Sequence, residues 1–95
     1  MKVVQTQYFS KWLKGLRDRR AKAIIAERIR RLELGHLGDV KSVGQGVSEL
    51  RHAYGPGYRI YFTRKGQKII ILLAGGTKGS QSRDIKRAKE MVTLL

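Results

Sequence analysis

The run Ile69-Ile70-Ile71-Leu72-Leu73-Ala74 is the longest apolar stretch in the chain. It is strand length and apolar at both odd and even positions. A strand of that kind buries both faces, so it belongs in the interior of a sheet covered on both sides. It is far short of the roughly 20 apolar residues that a membrane helix needs. The chain has 95 residues, which by length is one domain, 1–95.

The rest of the chain supplies two periodicities. Phe9, Trp12, Leu13 and Leu16 fall at i, i+3, i+4 and i+7, which predicts an amphipathic helix capped by Thr6. Gly15 marks its end. Asp18 caps a second, longer helix with Ala21, Ile25, Ile29 and Leu32 on one stripe. Gly35 is a candidate left-handed C-cap. The short connection makes the two an αα-hairpin. Val3-Val4-Gln5-Thr6 before them reads as an edge strand. Residues 36–46 hold three glycines and show no period, so they read as a loop. From Val47 the period becomes two, giving strands at 47–53 and 58–64 around the turn Tyr54-Gly55-Pro56-Gly57. Ser80 is positioned to cap a last helix that turns Ile85, Ala88 and Val92 inward. The expected order is β-α-α-β-β-β-α. The expected class is α+β: an antiparallel sheet with the helical hairpin on one face, and a C-terminal helix.

Charge narrows the partners. Lys and Arg number 21 against 7 Asp and Glu, a net charge of +14. Such a surface suits an acidic partner, nucleic acid first. There is no cysteine and only two histidines, His36 and His52. A disulfide framework, a thiolate metal site and a cysteine nucleophile are therefore excluded, and no metal or cofactor is expected. The segment Gly75-Gly76-Thr77-Lys78-Gly79 lacks the full phosphate-loop spacing, so nucleotide binding through it is rejected. The start Met1-Lys2-Val3-Val4-Gln5 has no apolar h-region, and a cytoplasmic location is the expectation.

Strand parity then groups side chains. Leu50, Ile60 and Phe62 share the face expected to meet the helices. Arg51, Arg59 and Tyr61 share the opposite face. That match requires an even register sum, for example 51 opposite 61, and an odd number of turn residues. Unpaired arginines on such a face call for an anion, and the guanidinium fork suits phosphate. Arg59 has few acidic neighbours in sequence, whereas Arg51 has Glu49 or a helix carboxylate within plausible reach. Lys78 and Arg83 are placed to join the rim. On the second helix, Lys22, Arg28 and Arg31 form part of a basic face suited to non-specific phosphate contact.

Several stretches are more specific than their composition. They are Gly46-Val47-Ser48-Glu49-Leu50-Arg51, Gly55-Pro56-Gly57-Tyr58-Arg59-Ile60-Tyr61-Phe62 and Leu72-Leu73-Ala74-Gly75-Gly76-Thr77-Lys78. With Phe9-Ser10-Lys11-Trp12-Leu13 and Arg28-Ile29-Arg30-Arg31-Leu32, they resemble the RelE/ParE superfamily of bacterial toxins. They resemble in particular the HigB-like, phage-related addiction-module killer group, and the resemblance spans nearly the whole chain. The resemblance implies a toxin of a type II toxin–antitoxin pair. Its first implied activity is metal-independent, ribosome-dependent cleavage of messenger RNA, with Arg51, Arg59 and Lys78 as catalytic positions. Arg83, Arg28, Arg31 and Lys22 are then candidate RNA contacts. The implied partner is a cognate antitoxin, often a helix-turn-helix protein. The alternatives are ParE-like inhibition of DNA gyrase and a non-catalytic basic nucleic-acid-binding role. Two departures stand out: Glu49 occupies a place where RelE-type enzymes often carry lysine, and no tyrosine or histidine follows Tyr61.

Overall fold

The computed structural model describes residues 1–95. The elements are β1 (Lys2–Gln5), α1 (Gln7–Gly15), α2 (Arg19–Glu33), β2 (Val40–Gly44), β3 (Val47–His52), β4 (Tyr58–Lys65) and β5 (Ile69–Thr77). A 3₁₀ turn (Lys78–Ser80) then leads into α3 (Gln81–Val92). No helix is long and apolar enough to cross a membrane.

The five strands form one sheet in the order β1-β5-β4-β3-β2. The doubly apolar β5 is an interior strand, as its pattern requires. Two expectations are corrected. The segment 36–46 is not wholly loop, because Val40–Gly44 forms β2 on β3. Its alternation is confined to Val40 and Val43 between exposed Lys41 and Ser42, too short to show a period beside the glycines. The sheet is also mixed: β1 runs parallel to β5, while the other pairs are antiparallel. Parallel neighbours need a long crossover, which α1, α2 and the three intervening strands provide.

Local signals set the helix ends. Thr6 Oγ1 accepts from the Phe9 N–H at 3.1 Å and donates to the carbonyls of Leu72 and Leu73, both at 3.0 Å. The cap therefore also fastens α1 to β5. Asp18 Oδ1 accepts from the N–H groups of Arg20 and Ala21 at 2.9 and 3.1 Å. These bonds, with the Tyr54 hydroxyl on Oδ2, hold its carboxyl below the usual range. Gly35 takes φ +85° after α2.

The sheet has two unequal cores. On one face, Phe9, Ala21, Ile25 and Leu32 pack on Leu50, Tyr58, Ile60, Phe62, Ile70 and Leu72. On the other face, Ala88 of α3 packs with Val47, Tyr61, Leu73 and Ala74. A bulge opposite Tyr61/Phe62 of β4 sets this division. It places Leu73 and Ala74 both on the α3 side, and turns Gly75 toward Trp12 and Gly76 toward Asp84. The face expected to be open above Tyr61 is thus closed, and Tyr61 is fully buried. The stripe Ile85, Ala88 and Val92 needs an apolar surface, and the second face of β5 is where one remains.

Candidate anion-binding site

The β3–β4 register makes Arg51 and Arg59 direct cross-strand partners, with Leu50 opposite Ile60. The register sum is even, as expected, although Arg51 faces Arg59 and not Tyr61. The five-residue turn 53–57 allows this, with φ +60° at Gly55 and +77° at Gly57. Two arginines therefore leave adjacent strands on the same face. Like charges directly opposite repel, so each requires compensation.

Each finds a carboxylate. Arg51 Nη2 lies 3.1 Å from Asp39 Oδ1, an ion pair open to solvent on both sides. The partner is the residue before β2, not one of the carboxylates favoured from sequence. Arg59 is 11% exposed and its Nη1 donates to the Gly57 carbonyl at 3.0 Å. Its Nε lies 3.9 Å from Glu49 Oε2. This corrects the expectation that Arg59 has few acidic neighbours: parity carries Glu49 to its face from the next strand.

Glu49 is fully buried. Its Oε2 accepts from the Tyr61 hydroxyl at 3.0 Å and from Gln81 Nε2 at 2.7 Å. Burial first, and the nearby carboxylate second, push the Tyr61 hydroxyl far above its ordinary pKa. The buried side-chain polar atoms without a hydrogen-bond partner are Glu49 Oε1, Arg51 Nε and Arg59 Nε. All three belong to this cluster. A buried polar atom left unpaired is costly, so unspent bonding capacity is concentrated at one place.

Lys78 completes the group. It is exposed in the 3₁₀ turn, and its N–H donates to the Pro56 carbonyl at 3.4 Å. A Cβ on Gly57 would stand 3.0 Å from Arg59 Nη1 and 3.4 Å from Lys78 Cβ. Arg59 and Lys78 therefore flank the same glycine, and Arg51 lies across from Arg59. The three basic residues are placed at one end of β3, β4 and β5.

Residues 11–93 match the family model described as Phage derived protein Gp49-like (DUF891). The chain belongs to this Gp49-like family. An uncharacterised protein of Haemophilus influenzae is 46% identical over 89 residues, which cover 94% of this chain and 90% of the relative. An arginine-to-alanine double mutant of the E. coli toxin RelE, solved in the free state, has the same fold at a TM-score of 0.66. That match covers 90% of this chain and 95% of the RelE chain at 15% identity. The RelE-like fold expected from the sequence is the fold observed.

The remaining candidate residues of this Gp49-like chain lie elsewhere. Arg83 is 82% exposed on the first turn of α3, its Nε 3.9 Å from Asp84 Oδ1. Lys22, Arg28 and Arg31 lie on α2, across the sheet from Arg51 and Arg59. Lys22 Nζ donates to the Lys14 carbonyl at 3.0 Å, the Arg28 guanidinium packs over Gly38, and Arg31 Nε sits 3.7 Å from Glu27. Arg28 and Arg31, with Arg20 and His52, line a cavity of about 310 Å³. There are thus two basic surfaces, one at the strand ends and one along α2. Sequence reasoning did not bring Gln81 and Asp84 to the sheet. The signal for Glu49 was present in its parity with Arg51.

Proposed function

We propose that this protein is a toxin of a type II toxin–antitoxin system, of the HigB-like group, that cleaves messenger RNA on the ribosome without a metal. The observation that carries this reading is the placement of Arg51, Arg59 and Lys78 at the strand ends, with unspent bonding capacity on both arginines. Gp49-like family membership and the RelE-like fold support it.

In such a reaction the RNA's own 2′-hydroxyl attacks the adjacent phosphorus, and charge gathers on the phosphoryl oxygens. Arg59, held by the Gly57 carbonyl and Glu49, is the preorganised cation for that charge. Arg51 binds the same phosphate or its neighbour by leaving the exposed Asp39, a pair of a kind worth little to stability. Lys78 stands in solvent and is assigned to backbone phosphate. Arg83 extends the rim. Lys22, Arg28 and Arg31 grip ribosomal RNA from the other surface, with a steep dependence on salt. An acidic antitoxin of helix-turn-helix type neutralises the +14 chain by fast, charge-steered association.

A second reading is favoured by one observation. The Tyr61 hydroxyl is buried and bonded to Glu49, so it offers no free acid or base. Inhibition of DNA gyrase, or nucleic-acid binding without cleavage, needs none. Mapping transcript ends after expression in cells separates these readings. Cuts within translated messages that fall by roughly 10²–10³ in Arg59→Ala support the nuclease. DNA breaks with intact messages overturn it in favour of gyrase. Neither effect, with salt-sensitive RNA binding kept, leaves the binding role.

A further inference from the structure

β1 leaves the edge of β5 after Gln5 pairs with Leu72. Beyond that point β5 is flanked by α1 on one side and α3 on the other. Between them lies a cavity of about 370 Å³, lined among others by Tyr8, Lys11, Trp12, Gly76, Arg83 and Asp84. Asp84 is 6% exposed. Its Oδ2 accepts from the Ser80 hydroxyl, whereas Oδ1 accepts no hydrogen bond and lies 3.9 Å from Arg83 Nε. Gly76 makes the room, because a Cβ there would collide with the carboxylate. Trp12 is fixed against Gly75 on the opposite wall, and Tyr8 stands at the mouth with Arg87 over its ring.

A carboxylate oxygen that opens into the cavity from a largely buried side chain repels phosphate and selects a group that donates. Aromatic walls select a flat one. Among the four RNA bases, only guanine offers two adjacent donors, N1–H and N2–H, to a carboxylate. Adenine and cytosine set an acceptor nitrogen beside their donor, and uracil sets carbonyls beside its own. We infer that this cavity holds a guanine base of an RNA strand, with Asp84 reading its Watson–Crick edge and Tyr8 and Trp12 packing on it. Gly76 is the cross-strand partner of Arg59, and Thr77 leads directly into Lys78. The base pocket is therefore about one strand spacing, roughly 5 Å, from the anion site, and Lys11 and Arg83 sit at its rim. The inference rests on the proposed RNA-directed function, and it assigns Asp84 the choice of base.

Trp12 is the only tryptophan, so its fluorescence reports on this pocket without any cleavage. The test titrates the full chain with the four nucleoside monophosphates, ribose 5-phosphate, and short RNAs with guanine or adenine at one position. Guanosine monophosphate is expected to change Trp12 emission and to bind about tenfold tighter than the other three. The guanine RNA is expected to bind about tenfold tighter again, because Arg59 and Lys78 take the neighbouring phosphate. Asp84→Asn should erase the preference for guanine. Tyr8→Ala, at a 43% exposed position, should weaken all bases while leaving ribose 5-phosphate unchanged, with the urea midpoint checking that the fold is kept. Equal responses to all bases, or an unchanged preference in Asp84→Asn, overturn the assignment. Guanosine monophosphate binding as tightly as the RNA overturns the strand in favour of a free-nucleotide site. Absence of message cleavage in cells leaves these binding results standing, so the two readings fail separately.

Discussion

The two faces of the sheet are built on different terms. The face under α1 and α2 is apolar throughout, with ten buried residues in one cluster. The face under α3 has five, and it also buries Glu49, Thr63 and Asp84. Apolar contact stabilises without direction, whereas a buried carboxylate costs solvation and must be met by donors of fixed geometry. The first face makes the fold. The second gives up apolar area and uses it to hold Arg59, Tyr61 and Gln81 in set positions around Glu49.

Leu72 and Leu73 test that contrast most strongly, since they are adjacent, fully buried, and belong to opposite clusters. Leu→Ala in a core costs about 2–5 kcal/mol, less where the surroundings collapse into the gap. Leu72→Ala should lie near the top of that range, because it is locked between strands and two helices. Leu73→Ala should lie near the bottom, because α3 is covered by nothing beyond it and can settle inward. Urea midpoints measure both. Equal costs would break the comparison.

The glycines of β5 come next. A Cβ at position 75 runs into the Trp12 ring, and one at 76 into the Asp84 carboxylate. Each alanine should cost roughly 1–3 kcal/mol through overpacking. Gly75→Ala should also shift Trp12 emission strongly by direct contact, while Gly76→Ala should shift it less and loosen the start of α3. A common signature for both variants would mean the two sides are not independently packed.

Much of this was legible in the chain because it is encoded locally. Thr6, Asp18 and Gly35 mark helix ends by short-range bonds or backbone freedom, and alternation sorted β3 and β4 onto their faces. The doubly apolar β5 announced its interior place. What was not legible depends on long-range choices. Val40 and Val43 form a strand only because β3 offers them an edge. β1 is parallel because of where α1 and α2 return the chain. The stripe on α3 shows that it needs a surface, but not which one. Arg51, Arg59 and Lys78 came from parity and resemblance, and they lie at the same end of β3, β4 and β5. Their carboxylates are arranged differently from the expectation: Glu49, expected beside Arg51, reaches Arg59 diagonally across strands, and Arg51 pairs with Asp39, which lies in the segment read as loop.

Tyr61 sharpens the comparison through pH. Burial and Glu49 raise its pKa above the ordinary value of 10.0. The folded state then keeps a proton that the unfolded chain releases. The stabilising contribution is complete below pH 10 and is lost as pH rises toward the folded value. Urea midpoints should be flat in this respect from pH 8 to 9.5 and fall beyond 10. Tyr61→Phe should remove this part of the fall. Glu49→Gln, which deletes the second largest cause, should make it shallower. An unchanged alkaline slope in Tyr61→Phe would mean that this hydroxyl is not the group that reports on the α3 face.

The smallest effect is expected at Asp39. Its pair with Arg51 is open to solvent on both sides, so Asp39→Asn should change stability by less than about 1 kcal/mol. The same change releases a guanidinium at the strand ends. RNA affinity should therefore rise, and the slope of its logarithm against log salt should steepen by about one phosphate contact. Arg59 offers the contrast: its carboxylate is buried, so Glu49→Gln should not free it in the same way, and RNA affinity should gain little. If Asp39→Asn cost several kcal/mol and left the salt slope alone, Arg51 would be a structural arginine. The anion site would then reduce to Arg59 and Lys78.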